Sequence, residues 1–318
     1  MNRQQQRDAV RAALAAGPRE RGTVQQERAG FEAFGTARPL APGVTAGEVT
    51  VAGRPAVRLQ AGTSRTVLLY LHGGGYVVGS GRTGARLASA LIARTGGTAY
   101  SLDYRLAPEH PFPAAADDAL AAYRELLQTT AAEDVLVAGD SAGGGLAVTT
   151  LVAAREAGLP QPAAAAVFSP WTDLTLSGDS IRTRAAADPL FTAAALRWYA
   201  DHFTPEPAAA RAASPIFADL SGLAPLLVQV GSDELLLDDA VRLATRAAAD
   251  DVEVTLEVGT GLPHVYQLNF GDLDDADDAL DRAGTFLARK LPATAGASKI
   301  PAGRSGYAEA VTVLTNPA

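Results

Sequence analysis

The chain is 318 residues long, carries a formal charge of −8 and contains no cysteine. The missing thiols exclude disulfides, thiolate metal sites and a cysteine nucleophile, and an acidic balance without a basic stripe argues against nucleic acid or an anionic membrane as partner. No apolar run is long enough to span a bilayer, and the polar start MNRQQQRDAV lacks the apolar stretch of a signal peptide, so the expected location is cytoplasmic.

In chain order, residues 1–45 are predicted as N-terminal helices, polar and rich in Arg and Gln. Strands follow at GEVTVAG, PAVRLQ, TVLLYLH, GGTAYSLDY, DVLVAGD, AAAAVFS, APLLVQVG and DVEVTLEV. The first two lie close enough to form an antiparallel hairpin. Several of the others are continuous apolar runs, the pattern of strands buried on both faces. Helices are predicted between them at TGARLASALIAR, AAADDALAAYRELLQ, SAGGGLAVTTLVAAREAG and ELLLDDAVRLATRAAAD, the last opening at Glu234. This alternation predicts an α/β fold with a mostly parallel sheet flanked by helices. Residues 174–215 interrupt it as a long insertion, expected to cover the carboxyl edge of the sheet, where such folds carry ligands. The acidic run DLDDADDAL (272–280) reads as a solvated helix face. Composition changes after Leu291, which sets the expected boundaries at 1–45, 46–292 and a tail at 293–318.

Two glycine-rich segments punctuate the strands. Ser141 lies in G-x-S-x-G (Gly139 to Gly143), directly between a predicted strand and helix. A strand–turn–helix of that kind holds a serine hydroxyl above the sheet edge and aims unpaired helix amides at it. The second segment, HGGGYVVG (72–79), brings bare backbone to the same edge and can supply oxyanion donors from Gly74 and Gly75, with Ala142 after the serine. A phosphate-binding loop is the competing reading of these glycines, but no Lys-Ser/Thr or ribose-binding acid follows in the required place.

A serine nucleophile needs a base and an acid. Of the four histidines, His72 heads the glycine loop, His110 sits in a proline-braced turn and His202 falls in the insertion; His264 follows the last strand and is taken as the base. For the acid, Asp233 follows the strand APLLVQVGS directly and is preferred. Asp238 and Asp239 lie a turn further into the helix, and Asp173 in SPWTDLT is the rival. Tyr76, Trp198, Tyr199 and Phe203 are candidate walls of a substrate pocket, and equally candidates for packing.

The segments HGGGYVVGS, DYRLAPEHPFPAA, GDSAGG, SPWTDLT, GSDELLLDDA and GLPHVYQ, in this order over about residues 45–290, resemble the hormone-sensitive-lipase-like α/β-hydrolases, the bacterial family IV esterases. The resemblance implies an eight-stranded α/β-hydrolase core with a helical cap, and a triad of Ser141, Asp233 and His264. It implies a carboxylesterase acting on short- to medium-chain acyl esters, with no metal or organic cofactor. Arg105 and Glu109 would be structural, as an ion pair in a proline-braced turn, and Asp140 would fix a loop by accepting hydrogen bonds. The segment RAAADPLFT is similar to the branch that includes lactone-cleaving enzymes, so a cyclic ester is an alternative substrate, as is an amide. Loss of catalysis, as in the gibberellin receptors of the same superfamily, is the third reading; it is opposed by the intact His264. The expected partner is thus a small ester or lactone, to a monomer or homodimer. The chain departs from the family at EVGTGLPH, ahead of the histidine, and in its tail.

Overall fold

The computed structural model describes residues 1–17 and 21–292; the expected tail lies outside the described residues. Two helices come first, α1 (Arg3–Ala15) and α2 (Val24–Thr36), each opened by a capping box, at Asn2 and at Thr23. The strands are β1 (Thr45–Val51), β2 (Arg54–Ala61), β3 (Val67–Leu71), β4 (Gly97–Leu102), β5 (Val135–Asp140), β6 (Ala164–Phe168), β7 (Leu226–Gly231) and β8 (Val254–Gly259). They form one sheet in the order β1-β2-β4-β3-β5-β6-β7-β8. β1 pairs antiparallel with β2 and β2 with β4, while every pair from β4 through β8 is parallel. The chain therefore has the mostly parallel α/β sheet that its alternation of elements predicts, with the eight strands that the family resemblance implies.

The connecting helices are α3 (Gly81–Thr95), α4 (Ala114–Leu126), α5 (Ala142–Glu156), α6 (Ser180–Thr183), α7 (Ala193–Phe203), α8 (Pro207–Ala212), α9 (Leu237–Ala249) and α10 (Asp274–Lys290). Alternate residues of a strand point to opposite faces, and the central strands use both. Leu69, Leu71, Val135, Val137, Val167 and Val228 join one core layer with residues of α4, α5 and α9. Their neighbours Leu68, Tyr70, Leu136, Ala138, Phe168 and Leu227 join the other, with residues of α3 and α10. Burial on both faces explains why these strands read as unbroken apolar runs.

Parallel order places the carboxyl ends of β3, β5, β6, β7 and β8 along one edge. Three short helices of the insertion, α6 to α8, lie in the segment between β6 and β7. The N-terminal helices dock through arginines. Arg3 and Arg7 of α1 pair with Asp275 at the start of α10, and Arg28 of α2 reaches the Val77 and Ala107 carbonyls and the Glu109 carboxylate. The acidic run is therefore not wholly a solvated face: Asp275 is buried against α1. Arg105 pairs with Asp118 while Glu109 pairs with Arg28, so the expected partnership between Arg105 and Glu109 is not made.

Candidate active site

Ser141 sits between β5 and α5 at φ 53°, ψ −122°, a left-handed position that costs a non-glycine residue. The surrounding atoms enforce it. A Cβ on Gly139 would lie 2.2 Å from the Gly143 carbonyl oxygen, and one on Gly143 would lie 2.0 Å from the Leu71 oxygen. The Ser141 amide donates to the Phe168 carbonyl at 2.8 Å, and its own carbonyl accepts from Trp171 at 2.8 Å, tying the turn to the end of β6.

His264 lies after β8, and its Nε2 is 2.9 Å from the Ser141 Oγ. The edge of the Phe191 ring meets the imidazole at 5.1 Å between centroids. Two of the other histidines are held elsewhere. His72 is stacked on Tyr104, its Nδ1 is 2.7 Å from the Gly73 carbonyl, and burial lowers its pKa to about 4. A carbonyl only accepts, so that nitrogen carries the proton and neutral His72 pins the glycine loop. His202 is bound within its own helix, to the Trp198 carbonyl.

The carboxylate that faces the imidazole is Glu234, not the expected Asp233. The Oε2 of Glu234 is 3.5 Å from His264 Nδ1, and its side chain is fully buried. Asp233 points the other way, to Arg11 of α1 at 2.8 Å. The local reason is the start of α9. Its first residue is Leu237, so Glu234 is not the first helical residue but part of a non-helical turn in which neighbouring side chains diverge. Asp173, the rival acid, is held by Thr175, Ser177 and Arg242. Asp238 accepts from the Ser180 amide and Asp239 from the Thr172 and Asp173 amides, so neither reaches the histidine.

Three further groups surround the pair. Ser169, after β6, donates to Glu234 Oε2 at 2.8 Å and accepts from the Val265 amide at 3.0 Å. Asp188, in the insertion, accepts from the Leu190, Phe191 and Leu235 amides. Arg11 donates to the Ala187 carbonyl as well as to Asp233. None of these announces itself in sequence. A serine in SPW reads as a turn residue, and Asp188 reads as part of a loop.

The glycine loop is wound into a tight turn, with the Gly74 carbonyl accepting from Val77 and Val78 at 3.1 and 3.0 Å. Gly73 donates to Asp140, which also accepts from the Tyr70 hydroxyl, so Gly73 has no amide to spare. Burial pushes the Asp140 carboxyl up to about 6 against those hydrogen bonds. Among the described residues no acceptor takes the amides of Gly74, Gly75 or Ala142. Tyr199 packs directly on Gly75, where a Cβ would meet its ring at 2.5 Å. Tyr76 stacks on Phe203 at 3.9 Å, and Trp198 is half-buried beside Tyr199. Among the described residues no group of three or more His, Cys, Asp or Glu side chains could hold a metal ion, and no helix is long and apolar enough to cross a membrane.

A serine on a strand–helix turn, a histidine at hydrogen-bond distance and free amides beside them define the site of the α/β-hydrolase class. The profile of the alpha/beta hydrolase fold matches residues 68–268. An acetyl-hydrolase of Streptomyces hygroscopicus is 42% identical over 275 residues, 84% of this chain and 90% of that protein. An esterase of Acinetobacter venetianus is 35% identical over 253 residues, 78% of this chain and 83% of that protein. The crystal structure of an esterase from the bacterial hormone-sensitive lipase family superposes with a TM-score of 0.86 at 41% identity, covering 92% of this chain and all of that one. The chain belongs to the α/β-hydrolase family, among the hormone-sensitive-lipase-like esterases.

Proposed function

We propose that the protein is a serine carboxylic-ester hydrolase that works through an acyl-enzyme on short- to medium-chain esters. The observation that carries this reading is the 2.9 Å approach of His264 Nε2 to the Ser141 hydroxyl. With Nδ1–H turned to Glu234, Nε2 is the free lone pair and takes the serine proton as Oγ attacks the ester carbonyl. The carbonyl oxygen, becoming negative, is received by the amides of Gly74, Gly75 and Ala142, which have no other acceptor among the described residues. His264 returns the proton to the departing alcohol, and water then releases the acid by the same steps. Glu234 holds the tautomer and stabilises the imidazolium, the role expected of Asp233. The names of the acetyl-hydrolase and esterase relatives support the same chemistry.

Three variants test the assignment with p-nitrophenyl acetate. Ser141→Ala should lower kcat by about 10⁶-fold while the protein stays folded. Glu234→Gln should lower it by about 10⁴-fold, by allowing the wrong tautomer. Asp233→Asn should stay near the parental rate. Parental turnover by Ser141→Ala ends the serine mechanism, and a reversed order of the two acids restores Asp233.

A further inference from the structure

We propose that Ser169 is a positioning residue that locks the acid to the base, an inference that rests on the reading of Glu234 and His264 as that pair. Ser169 lies at the carboxyl end of β6, fully buried, with its amide bound to the Gln229 carbonyl of the neighbouring strand at 2.7 Å. Its hydroxyl does two things at once. The O–H donates to Glu234 Oε2 at 2.8 Å, and the oxygen accepts from the amide of Val265, the residue after the base, at 3.0 Å. One side chain thus joins the turn carrying the acid to the loop carrying the histidine.

Glu234 needs it. The side chain is fully buried, and its Oε1 has no hydrogen-bond partner among the described residues. Beyond His264 Nδ1 at 3.5 Å, the Ser169 hydroxyl is the donor within hydrogen-bond distance of that carboxylate among the described residues. A buried carboxylate that loses its donor turns toward water or another donor. Such a turn takes the negative charge away from the place where the imidazolium requires it in the transition state.

The backbone points the same way. Ser169 sits at φ 45° and Val265 at φ 46°, beside Ser141 at φ 53° and Tyr76 at φ 64° in the glycine loop. Strained left-handed residues persist where the surrounding structure over-determines them. At Ser169 glycine would satisfy the backbone better, and only the hydroxyl distinguishes the residue present.

The test uses the full chain with p-nitrophenyl acetate. Ser169→Ala and Ser169→Gly should each lower kcat about 10- to 100-fold with little change in KM, the usual cost of losing a group that orients a catalytic ligand. The glycine variant relieves the left-handed strain, so its loss of kcat should come without a matching loss of thermal stability. In a Glu234→Ala background, Ser169→Ala should cost nothing further, because its partner is gone. Parental kcat in both Ser169 variants, or an undiminished loss in the Glu234→Ala background, overturns the proposal and leaves the serine mechanism standing. Parental kcat in Glu234→Ala alone overturns the acid assignment and this proposal together.

Discussion

His264 is almost buried, yet it faces carboxylates from three parts of the chain: Glu234, Asp188 and Asp140. Burial pushes the imidazole down, but Glu234 first and then Asp188 and Asp140 outweigh it and hold the pKa above the ordinary 6.5. The ring must be neutral to take the serine proton, so kcat/KM should climb with pH through that raised value. Asp140, pushed up to about 6 by burial, surrenders its charge as the medium becomes acid. Asp188→Asn keeps an acceptor for the Leu190 and Phe191 amides and removes one negative charge. The acid limb of the kcat/KM profile should then move to lower pH, by less than about one unit. A limb that stays in place or moves upward separates Asp188 from the electrostatics of the base. At this scale Ser141 and His264 were legible, because each stands at a strand end among glycines and prolines that have no packing use for it. Glu234 was not. It adjoins another acid, and the amphipathic pattern running on from it reads as helix, whereas the helix begins at Leu237. A boundary error of three residues turns one side chain from the base toward a surface turn.

Helices fix the loops through arginines as well as through apolar contact. Arg86 of α3 is almost fully buried and spends its guanidinium on carbonyls: Pro39 after α2, and Leu268 and Phe270 beyond His264, with its plane on the Phe270 ring at 3.8 Å. The fork thereby ties the linker from the N-terminal helices to the segment following the base. Its removal would leave the buried Phe270 carbonyl unanswered, at about 1–3 kcal/mol, while the part-buried Pro39 and Leu268 carbonyls lose a donor that water can replace. Arg86→Ala should therefore cost about 1–3 kcal/mol, read as a fall in Tm. Arg86→Lys should recover only part, since a point charge cannot reach three carbonyls at once. Full recovery by lysine shows that charge, not the fork, does the holding. The helices themselves were legible from their periodicity, but their docking was not. The partners of Arg3, Arg7, Arg11 and Arg28 are over 45 residues distant in sequence, and a run such as DLDDADDAL carries no mark of which acid will be covered.

Over the whole molecule, the sheet sets the rim and the insertion sets the space above it. All eight strands were legible: the central ones from the unbroken apolar runs that a parallel sheet covered on both sides demands, and β1 and β2 from their closeness in the chain, which suits an antiparallel hairpin. The space above the rim was less so, because Tyr76 packs on Phe203 and Tyr199 on the glycine loop whether or not they also meet a substrate. Ser141 itself is only 8% exposed. Across a series of p-nitrophenyl esters, kcat/KM should peak within about C2–C8 and fall for longer chains. A maximum at the palmitate ester would contradict that reading. The crowding beneath the serine has a different consequence for any change of substrate. A Cβ added at Gly139 or Gly143 would strike backbone carbonyls of α5 and of the end of β3, so the floor of the site tolerates no added carbon. New specificities, by selection or by design, would then have to come from residues outside this turn, while the nucleophile keeps its seat.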